Sequence, residues 1–231
     1  MLLFSLECSA AAASAAIYRD EKLLGEEFLN VPQTHSVTLL PMAKSLLEHT
    51  GISPEQVDYY AVSRGPGSFT GLRIGIAAIK GLAFPDNTPC IGVSTPEAIA
   101  YGLLGFEGTV IPMMDARCGQ VYTALFQGKD GRLTRLSEDE GLPLSELKEK
   151  LKSCTGPLWL CGDGAHLGLA AWGEELPVRM APAHLCCQRA SAVGLAAMQH
   201  LGEAVSPAAL VPCYLRPANA MTLAERQHKA E

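Results

Sequence analysis

Apolar runs and amphipathic repeats alternate along the first hundred residues of the chain. Short apolar or alternating runs are typical of strands, and five of them occur, at residues 2–6, 12–18, 22–29, 57–62 and 90–93. Apolar residues at helical spacing predict helices at residues 36–48, at residues 72–83 and from residue 94 onward. The first three strands follow one another directly, so we expect antiparallel hairpins there. The later strands alternate with helices, and the whole order predicts a mixed sheet with helices on its faces.

Glycines at positions 102, 105 and 108 suggest a boundary, and a second α/β segment follows them. Its predicted strands cover residues 109–114, 120–126 and 158–161, and its predicted helices cover residues 145–152 and 191–201. Residues 127–140 form a polar patch, and residues 222–231 are expected to form a helical or frayed tail. We therefore expect two α/β domains, at 1–104 and 105–231.

Composition limits the possible function classes. Of the 231 residues, 48% are hydrophobic, and the formal net charge of −6 gives no long-range attraction for nucleic acid, so a contact with RNA would need a partner. The eight cysteines form no CxxC pair, which favours reduced thiols in the cytosol. Glu7 interrupts the apolar start and no apolar run is long enough to cross a bilayer. A cytoplasmic protein without a signal peptide or membrane span is expected.

The segment SRGPGSFTGLRIG, residues 63–75, is a glycine-rich turn at the start of a predicted helix. Gly65, Gly67 and Gly71 could direct backbone amides at an anion, aided by the helix N-terminus. Alternatively, it is a tight strand-to-helix turn capped by Ser68 or Thr70. The segment lacks the Lys-Ser/Thr of a Walker A loop and the flanking glycines of a nucleophile elbow.

Small residues also recur along the helix that follows this turn. Gly71, Gly75 and Ala78 lie near i, i+4 and i+7, so they predict a strip that lets another helix approach closely. Such a strip suits packing within the chain and contact between subunits equally well.

The six histidines are dispersed and form neither HxxxH nor HExxH. His184 lies beside Cys186 and Cys187, but this spacing is too crowded for a single metal site, so no metal is predicted. His35 precedes a predicted helix between two hydroxyl residues and is interpreted as a residue of the capping region.

Two acidic positions at strand ends remain open to more than one interpretation. Glu7 ends the first predicted strand, where it could serve as an acid, a base or a metal-water ligand, or could have a structural role. Asp115 and Arg117 lie at a turn between strands, and an aspartate there is expected to bind its own turn backbone.

Six segments occur in the order found in the bacterial TsaB (YeaZ) family: LLFSLECSAAAASAAIY, THSVTLLPMAKSLLEHTG, DYYAVSRGPGSFTGLRIGIAAIKGLA, VSTPEAIA, MMDARCGQVYTALF and PCYLRP. The chain thus resembles this family over most of its length, most strongly over residues 1–126. The resemblance implies an actin-like fold shared with sugar kinases and Hsp70 (ASKHA), with two α/β lobes of mixed sheets, the second reduced. It also implies a role beside TsaD, which makes threonylcarbamoyladenosine at position 37 of tRNAs that decode ANN codons.

The resemblance also defines where this sequence departs from its relatives. TsaD carries two metal-binding histidines on the helix after the third strand, whereas here Leu39 and Leu40 follow His35 by one turn, so that pair is absent. The usual Asp-Thr-Ser of the family reads Glu7-Cys8-Ser9 in this chain. The implied protein has no catalytic residue, metal or cofactor. Its vestigial nucleotide site would comprise Glu7, Ser9, Gly65, Gly67, Ser68 and Gly71.

The family further implies a set of partners. The protein is expected to bind TsaD through helices at 36–49 and 70–84, to help recruit the ATPase TsaE, and to form a homodimer through an overlapping surface when alone. Contact with tRNA is expected only through the complex, and no membrane is implied. The candidate interface residues are Leu39, Leu40, Ala43, Leu47, Gly71, Ile74, Gly75 and Ala78.

Two rival hypotheses come from other function classes. A nucleotide-dependent enzyme would use Glu7 and the 65–71 turn. Phosphoryl transfer normally needs a metal or a cationic clamp, and near this turn the sequence offers only Arg64 and Arg73 as cations. A peptidase is suggested by glycoprotease-like relatives, but no nucleophile–base pair stands at a recognisable spacing.

Overall fold

The computed structural model describes residues 1–31 and 33–215. The predicted tail at 222–231 and the end of the PCYLRP segment lie outside these residues. Two sheets form the centres of two lobes. Among the described residues, no helix is long and apolar enough to span a membrane.

The first lobe contains the three predicted hairpin strands and the predicted β-α units. Its strands are β1 (Leu2–Glu7), β2 (Ala13–Arg19), β3 (Lys22–Leu29), β4 (Tyr59–Gly65) and β5 (Cys90–Ser94). Its helices are α1 (His35–Thr50), α2 (Phe69–Ala83) and α3 (Thr95–Tyr101). The sheet order is β3-β2-β1-β4-β5, with antiparallel pairing among the first three strands and parallel pairing from β1 to β5. The elements predicted for this lobe are confirmed, with ends displaced by at most a few residues.

The second lobe is built from shorter elements. Its strands are β6 (Gly108–Asp115), β7 (Gln120–Thr123), β8 (Phe126–Lys129), β9 (Arg132–Arg135), β10 (Glu140–Pro143), β11 (Leu158–Cys161) and β12 (Val178–Met180). Its helices are α4 (Leu144–Leu151) and α5 (Ala165–Trp172), and α6 (Ala190–Ala197) follows them in the chain. The boundary expected between residues 104 and 105 falls in the connection from α3 to β6.

The two sheets repeat one topology. The second sheet has the order β10-β7-β6-β11-β12, and its pairs are antiparallel from β10 to β6 and parallel from β6 to β12, as in the first sheet. The helices α4 and α5 have 8 residues each, whereas α1 and α2 at the equivalent places have 16 and 15. This repeat, with a smaller second copy, confirms the predicted two-lobed α/β fold.

The single strand predicted at 120–126 is wrong, because the structure divides it into β7 and the start of β8. Both strands pair with β6 in one continuous register, in which Pro112 stands opposite Ala124. Proline has no N–H to donate, so the ladder is interrupted at that point. The amide of Leu125 instead donates to Ser137 Oγ at 3.0 Å.

The polar patch predicted at 127–140 contains ordered structure. It holds most of β8 and all of β9, which pair as a hairpin. The turn residues Asp130 and Gly131 both have positive φ, of 51° and 70°, and an Asp-Gly pair of this kind is typical of two-residue hairpins. Three further elements, β10, α5 and β12, were not predicted.

The last described part of the chain returns to the first lobe. Ala190 at the start of α6 accepts a hydrogen bond from Ser5 Oγ and donates one to Ser14 Oγ, both at 2.7 Å. Residues 205–215, which we call the return segment, pair with Cys90 at one end. Near the other end, the Cys213 amide donates to Arg64 O at 2.7 Å. The first lobe is therefore completed by residues that come after the second lobe in the sequence.

Candidate functional site

The glycine-rich turn is held by backbone contacts on both sides. Ser68 N donates to Ser9 O at 2.7 Å, and Ser68 Oγ accepts from Gly71 N at 3.2 Å, so Ser68 caps α2. Gly65 has a φ of +121°, and a Cβ there would overlap the carbonyl oxygen of Cys213. The turn thus joins β4 to α2, the first hairpin and the return segment.

The strip of small residues on α2 faces the sheet of its own lobe. A Cβ at Gly75 would lie 2.7 Å from Cys8 Sγ and 3.2 Å from Val62 Cγ2, and one at Gly71 would overlap Cys8 O. Gly71 and Gly75 are therefore packed inside the chain, and the element that approaches them is the end of β1 rather than another helix. Cys8 donates to Gly71 O at 3.2 Å, and burial raises the pKa of its thiol.

Glu7 lies under the turn and is fully buried. Its carboxylate accepts from Ser9 N at 2.5 Å and from Ser63 Oγ. Burial raises the pKa of Glu7, against the opposing effect of these hydrogen bonds. The geometry gives Glu7 the structural role, because it binds the hairpin to β4.

The raised pKa predicts a pH dependence of stability. The folded state retains the Glu7 proton over a range above 4.5 in which the unfolded chain releases it. This contribution is complete below the unfolded pKa and is lost as the pH rises through the folded pKa. We expect the free energy of unfolding of the wild type, minus that of Glu7→Gln, to fall with rising pH in urea titrations between about pH 4 and about pH 8. A difference that stays constant or rises with pH would contradict this assignment.

A cleft of about 490 Å³ separates the two lobes at this point. Its lining residues are Ser9, Ala10, Ala11, Gly67, Ser68, Met114, Asp115, Ala116, Arg117, Tyr122 and Asp163. Asp115 Oδ1 accepts from Arg117 N at 2.8 Å and its other oxygen pairs with the Arg117 guanidinium at 3.0 Å, which confirms the predicted turn contact. Burial raises the pKa of Asp163, against the lowering effect of a hydrogen bond from Gln188 Nε2 at 2.6 Å.

The family resemblance of the sequence implies a vestigial nucleotide site at the first hairpin and the glycine-rich turn, but the residues of this cleft do not fit a metal-bound nucleotide. Glu7, the acidic residue of the first hairpin, is enclosed beneath the cleft and does not line it. The Ser68 amide is already bound to Ser9 O, and the Arg117 guanidinium is paired with Asp115. Asp115 and Asp163 would repel phosphates.

A second and larger concave surface lies between α1 and the end of α2. This α1–α2 groove has a volume of about 940 Å³. It is lined by Leu40, Pro41, Ala43, Lys44, Ser45, Leu47, Glu48, Gly51, Ile52, Ser53, Pro54 and Leu82. Its lining is mostly apolar, and Lys44 and Glu48 form an ion pair of 3.6 Å at its edge. A large apolar surface of this kind is typical of a protein contact.

The candidate interface residues divide into two groups. Leu39, Ala43, Leu47 and Ala78 are buried in the core with Gly71 and Gly75. Leu40 is 52% exposed and Ile74 is partly exposed. The exposed apolar surface of α1 also includes Val37, which sequence reasoning missed because it stands one residue after the predicted helix start.

Comparison with known proteins places these features in a family. The sequence model described as TsaD, tRNA N6-adenosine threonylcarbamoyltransferase, matches residues 29–149. The Bacillus subtilis tRNA threonylcarbamoyladenosine biosynthesis protein TsaB is 31% identical over 220 residues, which cover 95% of this chain and 96% of that protein. The protein of the same name from Escherichia coli is 33% identical over 167 residues, 71% of this chain and 72% of that protein. The chain belongs to the TsaB family.

Solved structures agree with the TsaB family. YeaZ from Pseudomonas aeruginosa has a TM-score of 0.77 and 28% identity, with 93% of this chain and 99% of that chain covered. A second P. aeruginosa structure, described as an uncharacterized protein with similarity to peptidase YEAZ, has a TM-score of 0.80 at the same identity and coverage.

The structure places His35 at the start of α1. His35 is the first residue of α1, and its Nε2 lies 2.7 Å from Ala10 O. Leu39, one turn later, is fully buried. Within residues 1–31 and 33–215, no group of three or more His, Cys, Asp or Glu side chains could hold a metal ion. His35 thus joins α1 to the first hairpin.

A polar cluster on α1, which sequence reasoning missed, has the residue types of a serine peptidase. Ser45 Oγ donates to Glu27 Oε1 at 2.6 Å and lies 3.3 Å from His49 Nδ1. In serine hydrolases the histidine stands between the serine and the carboxylate, whereas here the serine proton goes directly to the carboxylate. The cluster therefore does not activate Ser45. The i, i+4 spacing of Ser45 and His49 is visible in the sequence, but the contribution of Glu27 from β3 is not.

Proposed function

We propose that this protein is a non-catalytic subunit required for threonylcarbamoyl transfer to adenosine 37 of tRNAs, and that it acts by binding a TsaD protein and stabilising its active conformation. Membership of the TsaB family is the observation that carries the proposal, since a relative that matches 95% of the chain is named for this biosynthesis. The same family model that matches residues 29–149 describes the transferase, so the two proteins are related over a segment that runs from the end of β3 into α4.

The non-catalytic role is supported by the residues of the cleft. The hairpin carboxylate, Glu7, makes hydrogen bonds to Ser9 and Ser63 beneath the surface, where no substrate can reach it. The turn amide of Ser68 is bound to Ser9 O. The groups that would bind and polarise a nucleotide are therefore used to hold the lobe together.

The docking surface for TsaD is the exposed face of α1 and α2, with the α1–α2 groove beside it. Val37 and Leu40 are 65% and 52% exposed, and Ile74 and Ala77 continue the surface on α2. Two helices that expose apolar side chains can pack against the equivalent pair of a related lobe, which gives a four-helix arrangement. In the absence of TsaD, the same face would join two copies of this chain. The complex of this chain with TsaD would recruit TsaE.

Reconstitution tests the proposal. TsaD, TsaE, threonylcarbamoyl-adenylate and an unmodified tRNA transcript are combined with and without this protein, and the digested nucleosides are measured by mass spectrometry. We expect modification only when the protein is present, and none from the protein without TsaD. Modification that is independent of the protein would overturn the proposed function.

A further inference from the structure

Three cationic side chains line the return segment where it passes along α2. Lys80 Nζ donates to Ala208 O at 3.1 Å, and Arg73 Nε donates to the Tyr214 hydroxyl at 3.0 Å. Arg64 binds the same segment through its backbone, because its carbonyl accepts from Cys213 N at 2.7 Å. We call Arg64, Arg73 and Lys80 the basic strip.

The basic strip carries uncompensated charge in an acidic protein. None of its three members forms an ion pair with a carboxylate in the described part of the chain, although the chain has a net charge of −6. Arg64 and Arg73 are exposed, and Lys80 is partly exposed. Unpaired exposed cations that stand together favour an anionic partner.

Aromatic stacking fixes the central guanidinium of the strip. The rings of Phe69 and Tyr214 are stacked with centroids 4.7 Å apart and planes at 28°. The Arg73 guanidinium carbon lies 3.8 Å from the centroid of Phe69. Because Arg73 binds Tyr214 through Nε, its two terminal nitrogens remain available for a bidentate contact.

The strip lies beside the proposed docking face for TsaD. Arg73 and Lys80 are seven residues apart, nearly two helical turns, so they share one side of α2. Ala77 of the docking face is four residues from Arg73 and three from Lys80, so it adjoins the strip. Leu82, which lines the α1–α2 groove, is nine residues from Arg73 and projects on the opposite side of the helix. A partner seated on the docking face leaves the strip at its edge.

We infer that the basic strip binds the phosphate–ribose backbone of the tRNA in the assembled complex; this inference rests on the proposed function. Arginine guanidinium groups and exposed hydroxyls are groups that bind nucleic-acid phosphates, and Thr70 is exposed at the start of α2. The exposed ring of Tyr214 suits stacking with an unpaired base. An acidic protein segment would use the arginines but not this ring, so the observations favour RNA.

The test compares two triple variants of the full chain. Arg64→Gln/Arg73→Gln/Lys80→Gln removes the strip, and Arg19→Gln/Lys22→Gln/Arg132→Gln removes the same charge from exposed positions elsewhere. Co-elution with TsaD, the Kd of the complex for an unmodified tRNA transcript at several salt concentrations, and the KM and kcat of modification are measured. For the strip variant we expect unchanged co-elution and kcat, a Kd and KM raised about tenfold or more, and a salt slope reduced by about 2.

A Tyr214 pair separates stacking from charge. Tyr214→Ala is expected to raise the Kd without reducing the salt slope, whereas Tyr214→Phe keeps the ring and should retain most of the affinity. A strip variant that binds tRNA like the control variant would overturn the inference, and so would loss of co-elution with TsaD, because the strip would then be a protein contact. A failure of the proposed function would give a different result, because tRNA modification would then be the same with and without the wild-type protein.

Discussion

Replacement of Leu40 and Ile74 together by aspartate is expected to abolish co-elution with TsaD and to reduce tRNA modification at least a hundredfold. Leu40 is 52% exposed, so an aspartate there stands in water; Ile74 is partly exposed and also packs against the core, so the fold of the double variant is checked by circular dichroism. When the partner covers the aspartates, two charges must be desolvated without a counter-ion, which costs several kcal/mol. Size-exclusion chromatography with TsaD and mass spectrometry of the modified nucleoside measure the two effects.

The control for this double variant places the same charges on exposed leucines outside the docking face. Leu23→Asp/Leu136→Asp is suitable, since these side chains are 41% and 53% exposed and belong to β3 and to the loop after β9. It should retain both binding and modification. If the Leu40/Ile74 variant, shown to be folded by circular dichroism, still binds TsaD like this control, the docking face is wrong.

Gly75→Leu is expected to destabilise the protein by about 3 kcal/mol. The added Cβ alone would lie 2.7 Å from Cys8 Sγ and 3.2 Å from Val62 Cγ2, inside a buried core that has no room to relax. Ala77→Leu, two residues farther along α2 and exposed, should change the free energy of unfolding by less than about 0.5 kcal/mol. Urea denaturation measures both values.

A double-mutant cycle identifies the contact responsible. Cys8→Ala removes the sulfur that Gly75→Ala would meet, so the double variant should be more stable than the sum of the two single effects by about 1 kcal/mol. Strict additivity would show that Gly75 is constrained by something other than Cys8. A bulky residue at Gly75 would therefore report on folding, and the exposed positions of α1 and α2 are the ones that report on partner binding.

The first lobe could be predicted element by element because its strands and helices are long enough to show a period. After residue 104, the predictions at 109–114, 145–152, 158–161 and 191–201 correspond to β6, α4, β11 and α6, but β10, α5 and β12, which have 4, 8 and 3 residues, were not predicted. The break between β7 and β8 occurs where Ala124 stands opposite Pro112. Strand pairing sets that register, and the local sequence pattern does not reveal it.

For the candidate site, periodicity predicted a close-packed side of α2 but did not say which neighbour covers it. Gly71 and Gly75 meet Cys8, more than sixty positions earlier in the chain, and the sequence alone left a helix or a subunit equally possible. Arg73 and Tyr214 are 141 positions apart, so their contact depends on the return of the chain to the first lobe. The basic strip could therefore be found only in the folded structure.

The packing of α6 on the first sheet also sets the order in which the protein can fold during synthesis. One of the two cores on the first sheet joins Leu3, Ala16 and Ile91 to Ala190, Val193 and Ala197 of α6. While a ribosome is still making the second lobe, this side of the first sheet is covered only in part, by α3, and the apolar surface that α6 will cover is open to nonspecific association. The nascent chain therefore completes its first-made lobe last, and a chaperone that shields the sheet until α6 emerges would act on this one exposed face.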